Sequence, residues 1–240
     1  MENKYIHLSE DLANRIRLNM LASKSYNKLF VIGANRTGIK SLKHILSSFG
    51  FRFPGERHQI ASIFNQIQLG KHLQVQSYMA NFDAFQDQPF SSGINYAVVD
   101  ALFPNSKFIL TVRDPEKWFE SLVRDRKTTF KEINKETINI DALENHGFLF
   151  KGFLKEHLVE DILDVSDYTH YANWSLLHDK DHYIKSYNQR NKDIIKYFRK
   201  RPDDLLILDI TQEQTSWPLN HFLNIPTEFT FKIPHLNQSQ

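Results

Sequence analysis

The sequence predicts an α/β fold of three layers, with helices on both faces of a mainly parallel central sheet. Three runs carry this reading: "KLFVIG" (28–33), "KFILTV" (107–112) and "LLILDI" (205–210). Each is continuously apolar rather than alternating, as strands covered on both faces are. Helix-like segments separate them, and strands that alternate with helices join into a parallel sheet through crossover connections. At 240 residues the chain is long enough to bury one sizeable core, so a single domain over 1–240 is expected.

The elements follow in order. Ser9 with Leu12, Ile16 and Met20 has the spacing of an amphipathic first helix. After the first strand, "SLKHILSSFGF" reads as a helix that ends at Gly50, a residue suited to the left-handed cap. "DPEKWFESLVRDRK" opens on an Asp cap with Pro at the first helical position. The stretch 130–180 shows no clear strand and reads as a helical insertion. "DHYIKSYNQRNKDIIKYFRK" is a long helix with a polar face that must stop near Pro202. There is no internal repeat and no low-complexity tract.

Composition excludes several function classes. Hydrophobic residues make up 41% and charged residues 24%, an ordinary globular balance. A net charge of +2 is too small to argue for a nucleic-acid partner, so any basic character must be local. The chain has no cysteine, which removes disulfides, thiolate metal sites and a Cys nucleophile. The first residues lack an apolar signal core, and no segment approaches ~18 consecutive apolar residues. The expectation is a cytoplasmic chain without an integral membrane segment; the oligomeric state is not legible.

Ligands of such folds sit at the carboxyl ends of the strands, so the residues after each run matter most. "GANRTGIKS" follows the first. Gly33 and Gly38 permit a tight turn and a close backbone approach, the following helix offers its first N–H groups, and Arg36 adds a forked cation suited to phosphate or sulfate oxygens. The Lys falls one position later than a Walker A loop requires. The second run ends in "RDPEKWFES", with Arg113 at the strand terminus and Ser121 two helical turns on, a second compact anion site. A plain turn and a surface ion pair would explain either block alone; the two together, each on a strand–helix corner, are specific.

These blocks resemble the PAPS-dependent sulfotransferase family, in the branch with an "R-T-G-T-x-S-L" loop and a "K-F-I-L-T-x-R-D-x-x-x-W" block. Here they read "GANRTGIKSL" and "PNSKFILTVRDPEKWFES", and "NFDAFQDQPF" resembles the branch's "D-x-P" element. The similarity covers roughly 28–53, 82–126 and 185–237, and it implies a P-loop-like sulfotransferase fold. It also implies that Arg36, Thr37, Gly38, Ile39, Lys40 and Ser41 hold the 5′-phosphosulfate of PAPS (3′-phosphoadenosine 5′-phosphosulfate), and that Arg113 and Ser121 hold the 3′-phosphate. The product nucleotide would be 3′,5′-ADP, and no metal is required. Arg36 would act on the leaving phosphate, where charge builds during transfer. The family carries a hydroxyl residue after the loop Gly, where this chain has Ile39 and Lys40.

An acceptor hydroxyl or amine must lose a proton, and the resemblance aligns Asp87 with the family's carboxylate; Asp83 and His58 are rivals for the general base. The insertion reads first as helical packing; as a wall for the acceptor, Tyr168, Tyr171 and Trp174 would suit a sugar or apolar group, so a small-molecule, carbohydrate or lipid acceptor stays open. Two other readings stay open. A P-loop kinase would need Gly-Lys-Ser and a Mg²⁺-holding acid, for which Asp100 or Asp209 would have to serve. A non-catalytic nucleotide-binding member of the fold is favoured by Ile39 and Lys40.

Overall fold

The computed structural model describes residues 11, 14–18, 24–55, 63, 65–67, 69–129, 140–145, 151–166, 169–212, 215–230 and 232–233. Four parallel strands form its central sheet: β1 (Leu29–Val31), β2 (Ala84–Phe85), β3 (Lys107–Thr111) and β6 (Leu205–Leu208), in the order β2-β1-β3-β6. All three pairings are parallel, with Phe30 opposite both Phe85 and Phe108, and Ile109 opposite Leu206. The helices are α1 (Ile39–Ser48), α2 (His72–Met79), α3 (Asn95–Leu102), α4 (Pro115–Thr129), α5 (Ile140–Asn145), α6 (Phe153–Ile162), α7 (Lys180–Phe198) and α8 (Trp217–Leu223).

The continuous apolar runs are explained by two cores, one on each face of the sheet. Leu29, Val31, Ile109 and Leu208 face one cluster with α1 and α8, and Ile16 of the helical stretch 14–18 joins them. Phe30, Ile32, Phe85, Phe108 and Leu110 face the other, against Val75 and Met79 of α2, Val99 of α3, and Ile194 and Phe198 of α7. Successive residues of β1 and β3 thus alternate between two buried faces, so neither face is polar there, while β6 buries only Leu208 fully and leaves Ile207 exposed. Phe30 anchors the second core, stacked on Phe85 and on Phe108 with ring centroids 5.4 Å apart in each case.

Local signals set the boundaries. Helix α1 closes on a Schellman motif: Phe51 N–H donates to Leu46 C=O (3.1 Å), Gly50 N–H to Ser47 C=O (2.9 Å), and Gly50 takes φ +89°. Its apolar contact is Phe51 and Leu46, both buried. Asp114 Oδ1 accepts from Lys117 N–H at 2.9 Å to cap α4, and Asp179 Oδ1 accepts from His182 N–H at 2.8 Å to cap α7. Helix α7 ends at Phe198, four residues before Pro202.

The insertion corrects the sequence reading in one respect. It carries α5 and α6, but then an antiparallel hairpin of β4 (Leu163–Ser166) and β5 (Thr169–Ala172). A two-stranded hairpin of four-residue strands is short enough that its alternation, "LDVS" and "THYA", is lost among the helix-forming residues before it.

Gly33 shows how closely the first loop is packed. A Cβ there would overlap the Thr111 hydroxyl and the Thr111 backbone of β3. Gly33→Ala is therefore expected to destabilise the fold by about 1–3 kcal/mol or more, the range for overpacking a tight site. Adding Thr111→Ala should recover only part of the loss, because the Thr111 backbone is also in the way. Full recovery in a thermal melt of the double variant would show that the hydroxyl alone excludes the side chain.

Candidate functional site

Strand β1 lies between β2 and β3. The chain leaves it first to one side and later to the other, so its carboxyl end opens into the crevice where doubly wound sheets bind ligands. The loop from Gly33 to Gly38 fills that position. Arg36 (φ 71°) and Gly38 (φ 87°) take left-handed backbone conformations, and a Cβ on Gly38 would strike the Ile210 side chain. Thr37 is fully buried. Its hydroxyl donates to Ala34 C=O at 2.6 Å and accepts from Thr111 Oγ1 at 2.6 Å. Its side chain thus holds the turn, and only its backbone is left to meet a ligand.

The second block comes directly onto the first. Arg36 Nε donates to Ser121 Oγ at 3.1 Å and its terminal nitrogen pairs with Asp125 at 2.9 Å. Arg113 donates to the Arg36 carbonyl at 3.2 Å, while its buried Nε has no partner among the described residues. The Trp118 indole donates to Asn35 C=O at 2.9 Å. Tyr187, from α7, accepts from Arg113 N–H at 2.9 Å and donates back to Arg113 C=O at 3.2 Å. Burial pushes the Tyr187 phenol above its usual range, against the opposing bonds from Arg113 and Asn191, so it stays a neutral hydroxyl that can both accept and donate. Arg36, Arg113 and Ser121, which the sequence places in separate sites, form one cluster.

The other loop residues divide by helix phase. Ile39 is buried with Leu42, Ile45 and Leu46 in the core of α1, so its side chain packs inward instead of facing the crevice. The spacing Ile39, Leu42, Leu46 carried that signal in the sequence. Lys40 is exposed and Ser41 half-buried. The N–H groups of Ile39, Lys40 and Ser41 belong to the first helical turn and have no acceptor within the helix; the ladder begins with Leu42 N–H on Gly38 C=O at 3.1 Å.

Asp87 stands just past the carboxyl end of β2, on the same edge as the loop. It has φ 64°, and its Oδ1 accepts from Gln88 N–H at 2.9 Å. Asp83 stands at the opposite end of β2 and is structural. It takes Arg52 Nε at 2.8 Å and Arg52 N–H at 3.1 Å, with Lys24 at 3.8 Å. Burial raises its carboxyl pKa, but the Arg52 hydrogen bonds and the charges of Lys24 and Arg52 outweigh that and hold it below the usual range. His58 lies outside the described residues, as does Tyr168. Tyr171 lies in β5, and Trp174, half-buried in a short helical turn, does not line the cavity between α4 and α7. Asp100 is held by Arg201 at 2.6 Å and Tyr197 at 2.7 Å, and Asp209 by Thr211 N–H at 2.9 Å.

A cavity of about 160 Å³ opens beside the loop, between α4, α7 and the turn after β2. Its aromatic wall is Trp118, Tyr183 and Tyr187, with Trp118 stacked on Tyr187 at 4.2 Å. Buried Arg126 donates to Tyr183 Oη at 2.8 Å. Arg190 donates to the carbonyls of Ile32 (2.9 Å), Phe90 (3.4 Å) and Gly93 (3.4 Å). Burial pulls its guanidinium down to about 10. The sequence reading treated α7 only as a long polar-faced helix and missed these residues. Their signal was the spacing of Tyr183, Tyr187, Arg190, Asn191, Ile194 and Phe198, one stripe that runs from core into cavity.

A family model of the sulfotransferase domain matches residues 28–240, and the chain belongs to that family. None of the curated proteins compared with the chain matches it. Among the described residues, no helix is long and apolar enough to cross a membrane.

The burial of Ile39 turns the missing hydroxyl into a stability question. Ile39→Thr is expected to lower stability by about 1–3 kcal/mol, because it removes packed methyl volume and buries a hydroxyl. Denaturant melts check this; an unchanged midpoint would mean that the side chain turns toward the crevice.

Proposed function

We propose, from its place in the sulfotransferase family, that this chain transfers a sulfuryl group from PAPS to a hydroxyl or amine of a small-molecule or carbohydrate acceptor. The observation that supports it most is the direct contact between the two arginine blocks, Arg36 on Ser121 (3.1 Å) and Arg113 on the Arg36 carbonyl (3.2 Å). A nucleotide with phosphate groups at both the 5′ and 3′ positions would be held by this one cluster. The residues fit that ligand. Arg113 keeps a buried donor with no partner among the described residues, and the loop glycines allow the backbone to approach closely.

In the reaction the acceptor oxygen or nitrogen bonds to sulfur as the sulfur–oxygen bond to the 5′-phosphate breaks, giving the sulfated acceptor and 3′,5′-ADP. The first N–H groups of α1, at Ile39, Lys40 and Ser41, and the Arg36 guanidinium meet the charge that develops on the leaving phosphate. Arg113 and Ser121 hold the 3′-phosphate. Arg36 has to exchange Asp125 for the ligand, and that pair is partly exposed at both partners, so the exchange costs about 1 kcal/mol or less. Asp87 takes the acceptor proton, on Oδ2 in this reading, since Oδ1 already accepts from Gln88 N–H. The kinase reading is not favoured: the position after Gly38, where a Walker lysine would stand, is Ile39, buried in the core.

Calorimetric titration tests the nucleotide. 3′,5′-ADP is expected to bind at least roughly tenfold more tightly than 5′-AMP without added Mg²⁺, the order for one set of charge-assisted contacts. Arg113→Ala should weaken 3′,5′-ADP markedly and leave 5′-AMP nearly unchanged. Equal affinities in the unmodified chain would remove the 3′-phosphate site.

The chemistry has its own test. Asp87→Asn keeps the shape and the Gln88 contact but cannot take a proton, so it should retain 3′,5′-ADP binding and lose most PAPS turnover, on the order of 10²-fold or more. Transfer at the full rate in that variant would place the base elsewhere.

A further inference from the structure

Resting on the sulfotransferase reading, we propose that the cavity between α4, α7 and the turn after β2 is the acceptor subsite, and that it selects a hydroxyl-rich acceptor carrying one negative group, of the size of a single sugar ring. The placement comes first. The cavity adjoins the donor loop through Ala34 and Asn35, but neither Arg36, Arg113 nor Ser121 lines it. It extends toward the β2 side, where Gln88 follows Asp87, while the nucleotide residues gather on the β3 side. A group bound there would sit next to the donor without competing for its anion contacts.

Size and polarity narrow the class. At about 160 Å³ the cavity is well below the roughly 300–1,000 Å³ of sites for drug-sized ligands. Three polar atoms of its lining are buried without a hydrogen-bond partner among the described residues: Asn35 Oδ1, Ser91 Oγ and Asn191 Oδ1. Asn191 is oriented by its bond to the Tyr187 hydroxyl, so its carbonyl oxygen is the atom left over. Two amide oxygens and a hydroxyl in this state call for O–H or N–H donors from a ligand, since each buried polar atom left unpaired is costly. A flat phenol has one such group; a sugar ring has several, and an apolar face to lie against the Tyr183 and Trp118 wall.

Charge decides the rest. Among the described residues the lining includes Arg126, Arg190 and His182 and no carboxylate. Arg190 holds three backbone carbonyls and has no ion-pair partner among the described residues, and its remaining N–H groups suit a carboxylate or phosphate. An amine-bearing acceptor would meet repulsion in the same place. The shared chemistry is an anionic polyol, and both a uronic acid and a sugar phosphate meet it.

The experiment uses the full chain saturated with 3′,5′-ADP and measures calorimetric binding of glucuronate, glucose 6-phosphate, glucose, glucosamine and naphthol. At least one of the two anionic sugars is expected to bind tenfold or more tightly than glucose, with glucosamine and naphthol weaker than glucose. Which of the two leads distinguishes carboxylate from phosphate as the anchor. Asn191→Asp should reduce the preference for the anionic sugar over glucose by tenfold or more. If that chain does not fold, Ser186→Asp, at an exposed position lining the same cavity, carries the same expectation. Failure of 3′,5′-ADP to bind would sink the nucleotide reading. A nucleotide complex that binds neither anionic sugar, binds glucose or naphthol equally well, or keeps its preference in the variants overturns the acceptor class alone.

Discussion

At Gly33 the chain leaves β1 against the backbone of Thr111 with no room for a side chain, and the geometry of the site depends on that approach. The Thr37 hydroxyl then locks the turn to Thr111 and to Ala34. With the loop fixed to the end of β3, whatever follows β3 is delivered to the loop as well. Arg113 arrives beneath the Arg36 carbonyl, and the first turns of α4 bring Trp118 to Asn35 and Ser121 to Arg36. Two motifs some 75 residues apart in the chain meet because two parallel strands run side by side, hydrogen-bonded from Leu29 opposite Lys107 to Val31 opposite Ile109.

Helix α7 is the third support. Its lower end is core, with Ile194 and Phe198 against Phe108. One turn further toward its N-terminus, Arg190 holds the last carbonyl of the β1 run together with the turn after β2. Further still, Tyr187 closes on the Arg113 backbone and stacks on Trp118. A single helix thus ties together the ends of β1, β2 and β3. Packing of this kind preorganises a site, because each functional group is held by contacts that are already made before a ligand arrives. The exception is Arg36, whose partner Asp125 is partly exposed; its side chain is the part of the cluster best suited to re-pair.

Several features were legible because their cause is local. The β1 and β3 runs are apolar throughout since both faces of the sheet are covered there, while the equally apolar β6 run leaves Ile207 exposed; reading the runs as strands needs no knowledge of the neighbours. Asp114 and Pro115 begin a helix, and Gly50 ends one, because capping depends on backbone groups a few residues away. The two motif blocks were legible in the same way, as residue types at fixed offsets from a strand end. What those residues do with their side chains was another matter. Thr37 and Ile39 share the loop with Arg36, yet Thr37 is consumed by the turn and Ile39 by the core, a division set by helix phase and by the position of Thr111 and Ile210.

The sequence by itself determined the layered α/β class, the identity of the long strands, the caps, and the two arginine blocks at strand ends, since each follows from periodicity or from short-range hydrogen bonding. Tertiary structure decided the rest. The two-residue β2 exists because Ala84 and Phe85 pair with β1, and no pattern of two residues could announce it. Asp83 and Asp87 look equivalent four positions apart, but the direction of β2 puts one at each edge, with Arg52 on the first and the crevice beside the second. The cavity wall of Tyr183, Tyr187, Arg190 and Asn191 depends on α7 crossing α4 and the ends of three strands, contacts between residues far apart in sequence. Long-range packing of this kind is fixed only when the whole core closes, and for that reason the two arginine blocks could be read from the chain while their union in one cluster and the cavity beside it could not.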